Sequence, residues 1–223
     1  RILITVRTYP HPSRRHIETV CTGGINEKRE WRRLYPVPFR LLEDEKKYKT
    51  FSIITVALGS ASADGRPESR RPDTATLKVE GSVNDWTQRR EWVVPTAVES
   101  MSELRTSGRT LAPVRVREVL ELVAKPDTAE WSEKQKAILS QNELFQSRIP
   151  LRKLPFNFRL RWRDGDNIEH QSKFIAWEVG QTWWKFSARY ANPMEHLKAA
   201  WMNQRFASSN DLWFFMGNFS EHR

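Results

Sequence analysis

Arginine beside an aromatic ring can hold a phosphate and stack a base, and this chain repeats that pairing along its length. Arg14, Arg15 and His16 are consecutive. Trp31, Arg32, Arg33 and Tyr35 fall within five residues. Arg66, Arg70 and Arg71 share the Pro-bounded run RPESRRP, Trp86 is followed by Arg89 and Arg90, and Arg159, Arg161 and Arg163 alternate with Leu160 and Trp162. A guanidinium is a planar fork of donors that matches phosphate oxygens and lies flat on rings. Lys and Arg number 37 against 27 Asp and Glu, a net charge of +10. A basic folded surface of this kind points to a nucleic-acid partner, DNA or RNA; the competing reading is a solvated charge that keeps the chain soluble.

Spacing sharpens three of these groups. On a strand over residues 156–163, Phe156, Phe158, Leu160 and Trp162 share one face and Arg159, Arg161 and Arg163 the other. The arginines then recur about every 6–7 Å, close to the phosphate repeat of an extended single strand. Arg66, Arg70 and Arg71 occupy a loop that proline stiffens, so gripping a phosphate costs little ordering entropy; Glu68 within it allows an internal salt-bridge corner instead. Trp31, Arg32, Arg33 and Tyr35 join stacking faces to donors, although strand alternation predicts that at least one of the aromatics is core. These ten residues, Arg32, Arg33, Arg66, Arg70, Arg71, Arg159, Arg161, Arg163, Trp31 and Tyr35, form the expected nucleic-acid-binding set.

Catalytic chemistry has a thinner basis, and whether the chain turns anything over stays open at this point. His170, Glu169, Glu178 and the pair Asp164 and Asp166 are the acids and bases that a metal-dependent phosphodiester cleavage would need. No H-N-H, H-E-x-x-H or PD…(D/E)-x-K pattern organises them, so His170 and Glu178 stand only for an alternative, a nuclease or base-modifying enzyme. Glu178 opens a helix, where the helix dipole favours a carboxylate in any case. Cys21 lies in an apolar strand and reads as a small hydrophobe. Gly23-Gly24 reads as a turn, because no phosphate-loop or dinucleotide fingerprint surrounds it. No cofactor and no metal are expected.

The elements that must position these residues are mostly strands. Residues 2–6, 18–22, 31–35, 51–58 and 74–83 carry β-branched and aromatic runs punctuated by Pro and Gly, which suits a small antiparallel barrel. A short polar stretch over 41–48 predicts one or two helical turns. Further on, Thr96 and Glu99 predict a capping box for a helix ending at Gly108. Residues 110–123 read as strand and 132–139 as a helix with Ser132 and Gln135 as its box. A hairpin over 156–175 turns at Asp164-Gly165-Asp166-Asn167. A helix over 177–190 places Trp177 and Trp184 on one face, and Asn192-Pro193 opens a last helix carrying Leu197 and Trp201. Residues 212–216 form a final apolar strand; since such a strand needs a neighbour, sequence beyond Arg223 is expected, as it is before Arg1, which is not a Met. One cysteine among 223 residues excludes an internal disulfide, and no apolar run reaches the roughly 20 residues of a membrane span. A reducing compartment, the cytoplasm, is the expected location.

The runs ILITVRTYP (2–10), ETVCTG (18–23), WRRLYPVPFR (31–40), RPESRRP (66–72), AWE (176–178) and FFMGN (214–218) resemble an uncharacterised family of bacterial cytosolic proteins. The N-terminal run is also similar to dual OB-fold domain proteins, in which a C-x-A-G…W-x-R hairpin precedes an extended segment. The resemblance implies two small β-barrels of a commonly nucleic-acid-binding type, and a place in a bacterial DNA-processing or phage-defence assembly. Members carry an Asp before the Trp-Glu pair and often a Cys-containing turn ahead of it. Ala176 and Asp164-Gly165-Asp166 stand there in this chain, so a metal-linked role of that segment does not carry over.

The expected fold class is α+β: an N-terminal antiparallel OB-like β-barrel over 1–95, then a second β-rich segment with two or three helices over 96–223. The expected function is nucleic-acid binding, with arginine on phosphates and aromatic rings on bases, as a subunit beside other proteins and without a membrane. The enzyme acting on nucleic acid is one alternative, a protein-interaction subunit with an acidic partner the other.

Overall fold

The structure, a computed structural model, describes residues 1–61, 65–140 and 150–218. Two compact units divide it, Arg1–Val114 with Phe215–Arg223, and Arg115–Phe214. The fold is mixed α+β, with a closed five-stranded barrel at its N-terminus followed by a second sheet and helices.

The first unit contains β1 (Ile2–Arg7), β2 (His11–Ser13), β3 (Ile17–Asn26), β4 (Trp31–Val37), β5 (Ser52–Ala61) and β6 (Ser69–Ser82). Neighbours run β1-β5-β6-β4-β3, and β1 pairs with β3 to close the barrel; β2 adds to β3 outside it. Counting barrel strands alone, the circuit is first, second, third, fifth, fourth. The pairings are antiparallel except that between β4 and β6, which is parallel. Leu3, Ile4, Ile25, Leu34, Ile54 and Leu77 are fully buried. Short 3₁₀ turns at Phe39–Leu41 and Asp44–Lys46 bear out the polar helical stretch.

Closure explains a pair of glycines that the sequence reading took for a turn. Gly23 and Gly24 lie inside β3, opposite Val6 and Ile4 of β1, at a bulge. A Cβ on Gly24 would stand 2.5 Å from the Leu3 carbonyl oxygen and 2.6 Å from Ile2 Cγ2. Glycine is there so that two backbones can approach. The turn comes later, where the Asn26 side chain accepts from the backbone N–H of Lys28 and Glu30 and Arg29 takes φ 61°.

Helix α1 (Trp86–Val93), which hydropathy did not reveal, is capped by Asp85, whose carboxylate accepts from Gln88 N at 2.9 Å. Helix α2 (Met101–Thr106) starts later than the expected box: Ser100 caps it by accepting from Glu103 N, and Glu103 accepts in turn from Glu99 N. Thr96 is buried, and its hydroxyl accepts from the Trp31 indole and donates to the Val93 carbonyl.

Strand β7 (Leu111–Pro126) runs from the first unit into the second and covers the stretch read as strand. Then follow α3 (Glu133–Ser140), β8 (Phe156–Asp164), β9 (Glu169–Lys173), α4 (Trp177–Ser187), α5 (Pro193–Ala200), a π turn at Trp201–Arg205 and β10 (Leu212–Gly217), with sheet order β10-β7-β8-β9. Ser132 and Gln135 exchange the bonds of a capping box before α3. The final apolar strand pairs with β7 at one edge of this sheet. Asn192 stands before Pro193 as predicted, yet its side chain makes no capping bond. On α4 the buried residues are Val179, Gly180 and Trp183, while Trp177 and Trp184 are only half-buried. Among the described residues, no helix is long and apolar enough to cross a membrane.

Candidate functional site

The arginine row on β8 is built as its alternation predicts. Phe158, Leu160 and Trp162 are buried, and Arg159, Arg161 and Arg163 occupy the opposite face. The neighbouring strands place carboxylates beside that face. Register sets Arg161 between Glu121 of β7 and Gln171 of β9, and Arg163 between Glu118 and Glu169. The Arg161 guanidinium reaches Glu121 at 3.3 Å and Glu169 at 2.8 Å, and Arg163 reaches Glu118 at 3.3 Å. Hydrogen bonds to Glu169, then to Glu121, hold Arg161 above its ordinary pKa. Arg159 lies opposite Lys173 instead. Two of the three charges are therefore answered within the sheet.

The group on β4 divides. Trp31 is core, packed against Ile25, Val93, Leu111 and Phe215, with its indole N–H on Thr96. Arg33 is only 2% exposed and donates to the Thr110 carbonyl at 2.9 Å and to the Thr110 hydroxyl at 3.1 Å. Glu68, also buried, accepts from the same hydroxyl at 2.6 Å and from Thr110 N at 2.7 Å. Glu68 thus closes a corner on Thr110, with Arg33 as its second arm. Arg32 is ion-paired to Glu30. Tyr35, at 39%, is the member of the group that stays exposed. Of the run expected as a loop, Arg70 and Arg71 belong to β6; Arg66, ahead of it, donates to the Asn218 carbonyl, and Arg70 to the carbonyls of Pro67 and Ser69, so these two hold backbone.

A different set is open. Arg14 and Arg15 lie between β2 and β3, and Arg71 lies on β6 where the β5–β6 connection ends. All three are exposed, and among the described residues none has a carboxylate partner. His16 joins them. Burial, then the charges of Arg71 and Arg15, hold its imidazole below the ordinary histidine pKa. That influence links the turn between β2 and β3 with the start of β6. Only Arg71 belongs to the set expected from sequence. The signal for the others was legible: the run PHPSRRHI over residues 10–17 contains no acid to answer its charges.

Of the catalytic candidates, Asp164 and His170 meet at the β8–β9 turn. His170 Nε2 lies 2.7 Å from Asp164 Oδ2, and the imidazole packs at 5.1 Å from the Trp162 ring. Asp164 is 1% exposed and also accepts from Ile168 N, closing the β8–β9 turn. Asp166 is exposed in that turn, and Glu178 stands in the first turn of α4. Among the described residues, no group of three or more His, Cys, Asp or Glu side chains could hold a metal ion. Cys21 is a half-buried residue of β3.

Comparison with known protein families finds two matches that abut along the chain. Residues 1–95 match the domain of unknown function DUF8758, and residues 94–223 match the domain of unknown function DUF8757. No curated protein and no solved structure matches the chain.

Proposed function

For a chain that belongs to the DUF8757 family, whose description names no activity, we propose nucleic-acid binding, with the barrel as the binding element and Arg14, Arg15 and Arg71 as its phosphate contacts. The observation that carries this reading is that Arg15 and Arg71, both exposed and acting together on His16, and Arg14 beside them in sequence have no carboxylate partner among the described residues. Neighbouring cations without an internal anion repel one another, and an external polyanion relieves that repulsion. The strand circuit supports the reading. A five-stranded Greek-key barrel is the architecture of the OB-fold, whose ligands lie across the second and third strands and the loops between strands one and two and strands four and five. Arg14 and Arg15 sit on the first of those loops, and Arg71 on β6 just past the second. The second–third strand face contributes Tyr35, while Trp31 and Arg33 on it serve the core. A role in a DNA-processing or defence assembly rests on the resemblance alone.

Polarisation titration against single-stranded and duplex oligonucleotides at several salt concentrations tests the proposal. Log affinity is expected to fall linearly with log salt, and Arg71→Ala to lower the slope by about one. Affinity that ignores salt, or no binding even at low salt, overturns it; the second result favours a protein partner with an acidic face.

One observation keeps the enzymatic reading in view: a buried carboxylate orients His170, as in sites where histidine moves protons. Cleavage of labelled strands with Mg²⁺ or Mn²⁺ by the wild type, lost in both His170→Ala and Glu178→Ala, would establish it.

A further inference from the structure

Trp86 is the most exposed large apolar side chain in the described structure, at 72%, although it opens a well-capped helix. Its position is not loose. The Arg89 guanidinium lies over the indole at 4.5 Å and over the Phe51 ring at 4.3 Å, while Arg89 Nε donates to the Val83 carbonyl at 2.8 Å. Phe51 meets Trp86 edge-on, with centroids 6.2 Å apart. Phe51 is in turn tied to the barrel: its N–H donates to Ile4 O, and its carbonyl accepts from Val83 N. A cation wedged between two rings thus fixes the indole against the barrel and leaves its outer surface to solvent. Exposing an indole has a hydrophobic cost, and ordering it as well adds an entropic one. The combination of exposure, fixed orientation and adjacent positive charge is that of a stacking platform.

We infer that Trp86 stacks an unpaired nucleobase, so that the ligand of the barrel is a single strand. This rests on the nucleic-acid reading and adds the strandedness of the ligand and a second contact to it. A base inside a duplex has both faces covered by its neighbours, so an indole reaches it only when the strand is open. Arg71 stands near the start of β6 (Ser69–Ser82), and Trp86 opens α1 four residues past its end. By strand rise the separation is on the order of 30 Å. An extended strand covers that with about five nucleotides, inside the range of roughly 4–16 that one OB-type barrel occupies.

The probes are a 12-nucleotide single strand, the same strand with abasic units that keep every phosphate, and its duplex, each titrated by polarisation against wild type, Trp86→Ala and Trp86→Phe. Trp86→Ala is expected to bind the intact strand about five- to hundredfold more weakly, with the salt slope unchanged. It is expected to bind the abasic strand and the duplex as the wild type does. Trp86→Phe, which keeps a ring, retains most of the affinity. Equal losses on intact and abasic strands, no loss on the intact strand, or a Phe variant as weak as the Ala variant each overturn the inference while leaving the arginine cluster standing. Wild type that binds none of the three probes removes the nucleic-acid reading and this inference together.

Discussion

Two arginine groups of similar size, one on β8 and one on the barrel loops, lie in environments of opposite character. On β8 the strands on either side supply Glu118, Glu121 and Glu169, and the guanidinium groups end in ion pairs. Elsewhere, Arg15 and Arg71 both act on His16, Arg14 adjoins them in sequence, and none of the three has a carboxylate partner among the described residues. A sheet face is crowded: register places three side chains abreast, and opposite charges directly across stabilise it. The turn of Arg14 and Arg15 has no such neighbours, so the charge it carries remains available. Arginine count is therefore a poor guide to a binding surface, and the count of acids within reach is a better one.

The most severe way to break this comparison is to remove the open cluster. Arg14→Ala/Arg15→Ala/Arg71→Ala is expected to lower oligonucleotide affinity on the order of 100-fold at low salt and to cut the salt slope by about two. Arg159→Ala/Arg161→Ala/Arg163→Ala is expected to change both far less, and a larger loss from this second triple inverts the argument.

Next in size is the buried corner. Arg33→Ala removes donors from Thr110 and strands Glu68 beside the hole. A loss of about 3 kcal/mol in a denaturant titration is expected. Loss of oligonucleotide affinity with no loss of stability would return Arg33 to the surface role that sequence suggested for it.

What could be read from sequence follows from which forces are local. Alternation placed Phe158, Leu160 and Trp162 inside β8 and its arginines outside, because side-chain direction in a strand depends on the strand alone. The Ser132 box was legible for the same reason. Gly23 and Gly24 were not, because their function is the approach of β1, more than a dozen residues away in sequence. Thr96 was misread as a cap because its partner, Trp31, is 65 residues away. The pairing of Arg161 depends on Glu121 and Glu169 arriving on adjacent strands, 40 and 8 residues distant. The open cluster was half visible: the acid-free run 10–17 is local, but its meeting with Arg71 is a property of the closed barrel.

A gentler test reverses the comparison instead of deleting either side. Glu121→Gln/Glu169→Gln keeps the shape of β7 and β9 while freeing Arg161. Exposed ion pairs are worth about 0–1 kcal/mol, so stability should barely move. If pairing is what silences β8, the variant gains non-specific oligonucleotide affinity, by several-fold at low salt, and its salt slope steepens by about one. An unchanged slope would mean that β8 is silent for a reason other than its carboxylates.

The smallest expected effect reads the open cluster through its own titrating member. His16 is held below the ordinary histidine pKa by burial and by Arg71 and Arg15. A phosphate among these groups adds a negative charge, which favours the imidazolium and raises that pKa in the complex. A proton that is bound more tightly in the complex than in the free protein makes binding stronger as pH falls. The gain should therefore develop below about pH 6.5, between the raised pKa of the complex and the depressed one of the free chain. Folding shows the opposite trend: a histidine whose pKa is depressed in the folded state favours folding above its unfolded value, and stability declines as pH falls. Affinity for the 12-nucleotide strand should thus rise a few-fold from pH 7.5 to 5.5 while thermal stability declines, and His16→Gln should flatten the affinity trend. Were the β8 arginines the phosphate contacts, His16→Gln would leave the pH trend intact, since no titrating histidine of the barrel loops would face the ligand.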